Sequence, residues 1–221
     1  MNTSVVVMTC DSYEDTWGAF FQLKDKYWSN CPYETYIVTE EKACNYAVSL
    51  KKTGAWTKRL REALEDIKTK YIIFMLDDFF IRQEVDQKGI EYAERQFQDD
   101  IATLSFMNVI SHNKDYCDDT DEINGYIRRK NNMRYLANCQ PSIWDRKKMI
   151  EILQKDQDPW QWELTPINSK YRFYVIKDKR LIDNGYYDYK SFGINKGQWT
   201  KEAIEFLKSE GIEIDGTRGK H

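Results

Sequence analysis

Tyr71-Ile72-Ile73-Phe74-Met75-Leu76-Asp77-Asp78 decides the fold. Six apolar residues run without a polar break, too short for a helix and rich enough in β-branched and aromatic side chains for a strand buried on both faces. The run stops on two adjacent carboxylates. Charges at that position are costly to bury unless something neutralises them. In open α/β sheets ligands sit beyond the carboxyl ends of the strands, so Asp77 and Asp78 are the first site candidates. Hard divalent cations prefer carboxylate oxygens and keep positions open for phosphate, so Mg²⁺ or Mn²⁺ held by Asp78 and Asp77 is the chemistry this pair suggests. A helix cap or an acidic loop edge is the bland alternative.

Working outward, Val5-Val6-Val7-Met8 is a second run of this kind, ending at Thr9-Cys10-Asp11-Ser12. Trp17, Phe20, Phe21 and Leu23 then fall at helical spacing over 15–28, and Glu34 to Thr39 reads as another strand. Trp56, Leu60, Ala63, Leu64 and Ile67 mark one face of a helix over 56–68. Further on, the pattern predicts a helix over 84–98, a strand over 101–107, a charged excursion over 111–134, and a strand over 135–140. A turn at Pro141 to Trp144 should lead into a helix over 145–155. A helix opening at Asp158-Pro159, a strand over 171–176 and a helix over 200–209 closed by Gly211 complete the reading. Alternating strands and helices give an α/β fold, a three-layer αβα with a central mostly parallel sheet. At 221 residues the chain reads as one domain, with a first half about 1–110 and a second about 111–221.

Composition removes several chemistries. Only two histidines occur, His112 and His221, so His-rich zinc sites are absent, and no GxSxG, GxxxxGK[ST] or GxGxxG motif occurs. A net charge of −3 argues against nucleic acid as a partner. Five cysteines without CxxC spacing read as reduced thiols of a cytoplasmic protein. The opening MNTSVVVMTCD passes straight into a strand-like run, read as lacking a signal peptide, and no apolar stretch approaches the ~20 residues of a membrane span.

The order of these blocks resembles the nucleotide-sugar glycosyltransferases of the GT-A fold. In them the end of the first strand carries an acidic residue near the nucleobase, and a later apolar strand ends in an Asp-x-Asp motif. The chain is most similar to small bacterial glycosyltransferase-like proteins of capsule and lipopolysaccharide loci. Three blocks carry this resemblance: Trp56-Thr57-Lys58-Arg59-Leu60-Arg61-Glu62-Ala63-Leu64, then Leu76-Asp77-Asp78-Phe79-Phe80, then Gln140-Pro141-Ser142-Ile143-Trp144 with Pro159-Trp160-Gln161-Trp162-Glu163. One departure is that Phe79 stands where the motif's last Asp would be.

The resemblance implies transfer of a sugar from a nucleotide-sugar donor to a saccharide or lipid-linked acceptor in surface polysaccharide synthesis, with inversion. Asp11, Arg59, Asp77, Asp78 and Lys196 would face the donor, and Gln140, Trp144, Trp160 and Trp162 the acceptor. Asp11 reads equally well as a helix cap. Glu163 would be the base that takes the acceptor's proton. The Gly- and Tyr-rich stretch 183–199 would close over the diphosphate, with Lys196 assisting or replacing the metal's charge. The acceptor would lie at the inner membrane face, which allows peripheral contact, although the slightly acidic balance gives it no electrostatic support. Two alternatives stay open: a non-catalytic nucleotide-sugar-binding protein of the same fold, and a Mg²⁺-dependent nucleotidyltransferase.

Overall fold

The computed structural model describes residues 2–106, 115–177, 193–214 and 218, and of Asp119 the backbone only. His112, His221, Tyr186, Tyr187, Tyr189 and most of the Gly- and Tyr-rich stretch lie outside them. Along the chain run β1 (Thr3–Met8), α1 (Glu14–Tyr27), β2 (Thr35–Thr39), β3 (Val48–Lys51), α2 (Trp56–Asp66), β4 (Tyr71–Leu76), α3 (Gln87–Arg95) and β5 (Ile101–Ser105). There follow β6 (Cys117–Ile123), β7 (Tyr126–Arg129), β8 (Ser142–Asp145), α4 (Arg146–Ile152), α5 (Pro159–Leu164), β9 (Arg172–Ile176), β10 (Ile194–Asn195), β11 (Gln198–Trp199) and α6 (Lys201–Ser209).

Nine strands form one sheet in the order β3-β2-β1-β4-β8-β5-β9-β7-β6. The pairs β3/β2, β2/β1, β1/β4 and β5/β9 are parallel. The pairs β4/β8, β8/β5, β9/β7 and β7/β6 are antiparallel, so only β7 and β8 run against the rest. The sheet is therefore mostly parallel, as expected. Alternate side chains of the central strands enter opposite layers. Val5, Val7, Ile73 and Met75 meet α1, α3 and α6 through Phe20, Leu23, Ile90 and Leu207. Val6, Met8, Ile72 and Phe74 meet α2, α4 and α5 through Leu60, Leu64, Met149 and Trp162. This is the three-layer αβα arrangement.

Two readings of the second half are corrected. The excursion expected over 111–134 contains the hairpin β6–β7, turned by Asn124 (φ 47°) and Gly125 (φ 89°). An Asn-Gly pair accepts the left-handed conformation that a two-residue hairpin turn demands. The strand expected over 135–140 is not formed. It lies instead at Ser142–Asp145, where the sequence suggested a turn, and α4 starts one residue later than expected, capped by the Asp145 side chain on the Lys148 N–H. β3 had no counterpart in the sequence reading.

None of the five cysteines forms a disulfide. Denatured, unreduced protein is expected to titrate five thiols per chain with a thiol reagent; a count of three or fewer would contradict the reading of reduced cysteines.

Candidate functional site

β1 and β4 end side by side, with Met8 opposite Leu76. The chain beyond each end therefore lines one crevice. Asp77 and Asp78 are 3% and 8% exposed. Asp77 is tied inward: its Oδ2 accepts from the Thr9 hydroxyl at 2.6 Å and the Thr16 hydroxyl at 2.5 Å, and Thr9 in turn accepts from Trp17 Nε1 at 2.9 Å. Asp77 thus fastens the end of β4 to the end of β1 and the first turn of α1. Asp78 accepts from the backbone N–H of Ile194. Burial pushes both carboxyls well above the usual carboxylate range, and for Asp77 the neighbouring Asp78 charge adds to it. The crevice floor is therefore a site that favours a proton or a cation.

On the β1–β2 side stand Asp11 and Arg59. Partial burial raises the Asp11 carboxyl, but backbone N–H groups of Glu41, Glu40 and Lys42 outweigh it, and the net direction is down. Those contacts are 3.0 Å from Glu40 N to Oδ1, and 2.9 and 3.1 Å from Glu41 N and Lys42 N to Oδ2. Both oxygens of Asp11 hold the loop after β2. Arg59, on α2, is buried; it donates to the Thr9 carbonyl at 2.9 Å and lies 3.7 Å from Glu40. Its Nε has no partner among the described residues.

Across the crevice lies the segment 138–140. β8 runs antiparallel to β4 with Ser142 opposite Phe74, which brings the residues before Ser142 alongside the end of β4. Glu163, in the second turn of α5, accepts the Cys139 N–H at 2.8 Å and the Cys139 thiol. Burial raises the Glu163 carboxyl, while these two donors and the charge of Arg129 pull it partly back. The Cys139 thiol is pushed well above its ordinary value by burial first, then by the charges of Glu163 and Asp78. Cys139 is thus hydrogen-bonded to Glu163 and feels the charge of Asp78. Gln140 is 5% exposed, and its Oε1 has no partner among the described residues.

The aromatic residues divide. Trp160 is 65% exposed. Trp144 and Trp162 are each 1% exposed and pack on one another with ring centroids 6.3 Å apart, so the expectation that these two face an acceptor is corrected. Helical geometry explains it: Trp162 is two residues from Trp160 on α5 and faces the sheet while Trp160 faces out. The helix opens at Pro159, capped by Asp158, as expected, and Glu163 lies in its second turn.

A short hairpin, β10–β11, covers Asp78. Gly193 N–H donates to the Asp78 carbonyl at 3.0 Å. A Cβ on Gly193 would stand 2.7 Å from Phe80 Cε2 and 2.9 Å from that carbonyl, so only glycine fits this close approach. Lys196, expected beside the diphosphate, is exposed at the hairpin tip with φ 49°, next to Gly197 at φ 77°. Among the described residues a cation whose charge reaches the acid pair is Arg218, which the sequence reading missed. It pairs with Asp15 at 2.8 Å, lies 4.4 Å over the Tyr13 ring, donates to the Ser12 carbonyl, and acts on both Asp77 and Asp78. No local pattern in the sequence after α6 distinguishes this arginine. Burial, with Asp78 next, also pushes the Tyr13 phenol up to about 12.

Among the described residues no three His, Cys, Asp or Glu side chains gather as a metal cage. Phe79, at the position of the missing motif carboxylate, is in the core. Asp77 Oδ2 is committed to two hydroxyls. The donor set fits Mg²⁺ or Mn²⁺ only in the mode in which one or two carboxylates share the ion with substrate phosphates and water.

No protein-family model and no curated protein sequence matches the chain. Among solved structures it is similar to a cytidylyltransferase from Leptospira borgpetersenii serovar Hardjo-bovis, with a TM-score of 0.45 and 12% identity over 96% of this chain and 95% of that one. It is also similar to the bifunctional IspDF from Campylobacter jejuni, with a TM-score of 0.45 and 9% identity over 82% of this chain. A third is the mannosyltransferase PcManGT from Pyrobaculum calidifontis in complex with GDP-Man and Mn²⁺, with a TM-score of 0.45 and 9% identity over 84% of this chain. The chain spans 52% of the IspDF chain and 58% of the mannosyltransferase chain. At these scores the likenesses carry no argument about chemistry.

Proposed function

We propose that the chain is a glycosyltransferase that moves a sugar from a nucleotide-sugar donor to a saccharide or lipid-linked acceptor in surface polysaccharide synthesis. The observation that supports this reading is a pair of carboxylate sites on adjacent segments: Asp77 and Asp78, buried at the end of β4, and Glu163 on α5, which holds the Cys139 N–H of the segment running beside that end. One site suits the diphosphate of a donor and the other the hydroxyl of an acceptor. A divalent cation shared between Asp78 and the phosphates would supply charge to the leaving diphosphate. Arg218 lends positive charge to the same floor. Glu163 accepts the proton of the acceptor hydroxyl, whose oxygen bonds to the anomeric carbon as the bond from that carbon to the diphosphate breaks. Gln140, with an unspent acceptor, and Trp160, with an open ring face, are the acceptor-side residues this reading retains.

Calorimetry of a panel of nucleoside diphosphates with Mg²⁺ or Mn²⁺ tests the donor half. Wild type is expected to bind at least one, and Asp78→Asn to weaken it by ~10–100-fold, the scale of losing a group that tunes a metal. Equal affinity in both proteins overturns the role of Asp78. Incubation with nucleoside triphosphates completes the test: pyrophosphate release would mark a nucleotidyltransferase instead.

A further inference from the structure

At the opposite end of the sheet from the acid pair lies a recess of about 320 Å³ lined by Asn2, Lys68, Lys70, Asp145, Arg146 and Lys147. Topology gathers them. Asn2 precedes β1, Lys68 and Lys70 precede β4, and the antiparallel β8 delivers Asp145 opposite Tyr71 and then Arg146 and Lys147. The length of β4 separates this recess from Asp77 by roughly 20 Å at ~3.3 Å per residue.

Its charge is one-sided. Four cations line it against one carboxylate, and that carboxylate is spent: Asp145 Oδ1 accepts the Lys148 N–H at 3.1 Å and Oδ2 lies 3.4 Å from Lys148 Nζ. Arg146 is half-buried and rigidly placed, Nε donating to the Thr69 carbonyl at 2.7 Å and Nη1 to the Leu64 carbonyl at 2.8 Å. Two carbonyls fix the plane of the guanidinium and neutralise none of its charge. Among the described residues Lys68 donates only to the Glu65 carbonyl, at 3.3 Å, and Lys70 lies 4.9 Å over the Tyr71 ring, with Asp145 and Asp99 acting on it from further off. None of the four lining cations makes an ion pair with a carboxylate among the described residues. In a chain of net charge −3, a hollow lined by four cations and one carboxylate carries an excess of positive charge that attracts an anion.

We propose that this recess binds a small phosphate-bearing anion. A fixed guanidinium offers paired N–H donors to phosphate oxygens, and mobile lysines add charge from either side. The volume sits at the lower end of the ~300–1,000 Å³ of ligand pockets, the size for a diphosphate or a phosphorylated headgroup rather than a whole dinucleotide. The proposal is independent of glycosyl transfer, since it uses none of the residues of the β1–β4 crevice.

The probe is inorganic pyrophosphate, titrated into the full chain in the presence of EDTA so that no carboxylate-held metal contributes. Wild type is expected to bind, and Lys68→Ala/Lys147→Ala to bind at least tenfold more weakly. Lys201→Ala, an exposed lysine of α6, is expected to match wild type. All three lysines are exposed, so the melting temperature should not move. Sedimentation with phosphatidylcholine vesicles containing phosphatidylglycerol forms the second arm. Co-sedimentation lost in the double variant identifies a lipid phosphate; pyrophosphate binding without co-sedimentation identifies a soluble one. Equal pyrophosphate affinity in wild type and the double variant, or binding of neither probe by wild type, overturns the proposal.

Discussion

Glu163→Gln is expected to lower turnover by ~10²–10⁴-fold, the usual contribution of a general base. Gln keeps the shape, and its Oε1 can still accept the Cys139 N–H that Glu163 now receives at 2.8 Å. What it loses is the charge that, on the proposed function, takes the acceptor's proton. Donor affinity should stay within about twofold, under ~0.4 kcal/mol, because Asp77, Asp78 and Arg218 are untouched. The pH dependence carries a second signature. Burial raises the Glu163 carboxyl above the ordinary glutamate value, so the fold favours its protonated form. Wild-type turnover should therefore fall on acidification at a pH above that of an unperturbed glutamate, and the variant should lack this limb. The same shift fixes the sign of the stability effect. Stability contributed by a group with a raised folded value is present below its unfolded value and is lost as pH rises through the folded one. Removing the ionisable group removes that loss, so at neutral pH the variant should melt no lower than wild type. Normal turnover at saturating acceptor with only weaker binding would make Glu163 a binding residue.

The first half of the chain was legible because its central strands are buried on both faces. Val5 to Met8 and Tyr71 to Leu76 have no polar side chain to accommodate, so hydrophobicity alone marks them, and the acid pair marks where β4 stops. The outer strands obey a different rule. β6 reads Cys-Asp-Asp-Thr-Asp-Glu-Ile and occupies the edge of the sheet, where charge prevents pairing with another chain and erases the apolar pattern that sequence reading depends on. Its one local signal was the Asn124-Gly125 turn between Ile123 and Tyr126. β8 was misplaced by five to seven residues for a tertiary reason: Asn138, Cys139 and Gln140 look extended, but their side chains and amides serve Glu163, Tyr135 and one another rather than a ladder. The same difference of scale governs the site. Asp77, Asp78 and Glu163 were visible as carboxylates at the ends of elements. Cys139, which donates to Glu163, and Arg218, which reaches the acid pair from beyond α6, depend on contacts between segments far apart in the chain.

Trp162→Ala is expected to cost ~3–5 kcal/mol of stability, the range for removing a large aromatic side chain from a core. For a chain of this length that is a fall in melting temperature on the order of 10 °C. The indole has no exposed face to give a ligand: it lies 5.4 Å from Trp56, 6.3 Å from Trp144 and 6.4 Å from Phe74, ring centre to ring centre, and is 1% exposed. Its Nε1 has no acceptor among the described residues. That detail separates two substitutions. Trp162→Phe keeps an aromatic ring and discards an unsatisfied donor, whose burial itself costs free energy, so it should lose well under half of what alanine loses. The two variants also divide structure from recognition. Glu163 follows Trp162 on a six-residue helix that packs on α2 through this ring, so alanine should lower turnover by loosening the base, and phenylalanine should restore both turnover and melting temperature together. A wall that recognises a sugar gives the opposite pattern, with stability unchanged and acceptor KM raised in both variants. Chemical denaturation with an unchanged m-value, read beside kcat and KM for the same proteins, decides between the buried strut and the sugar platform.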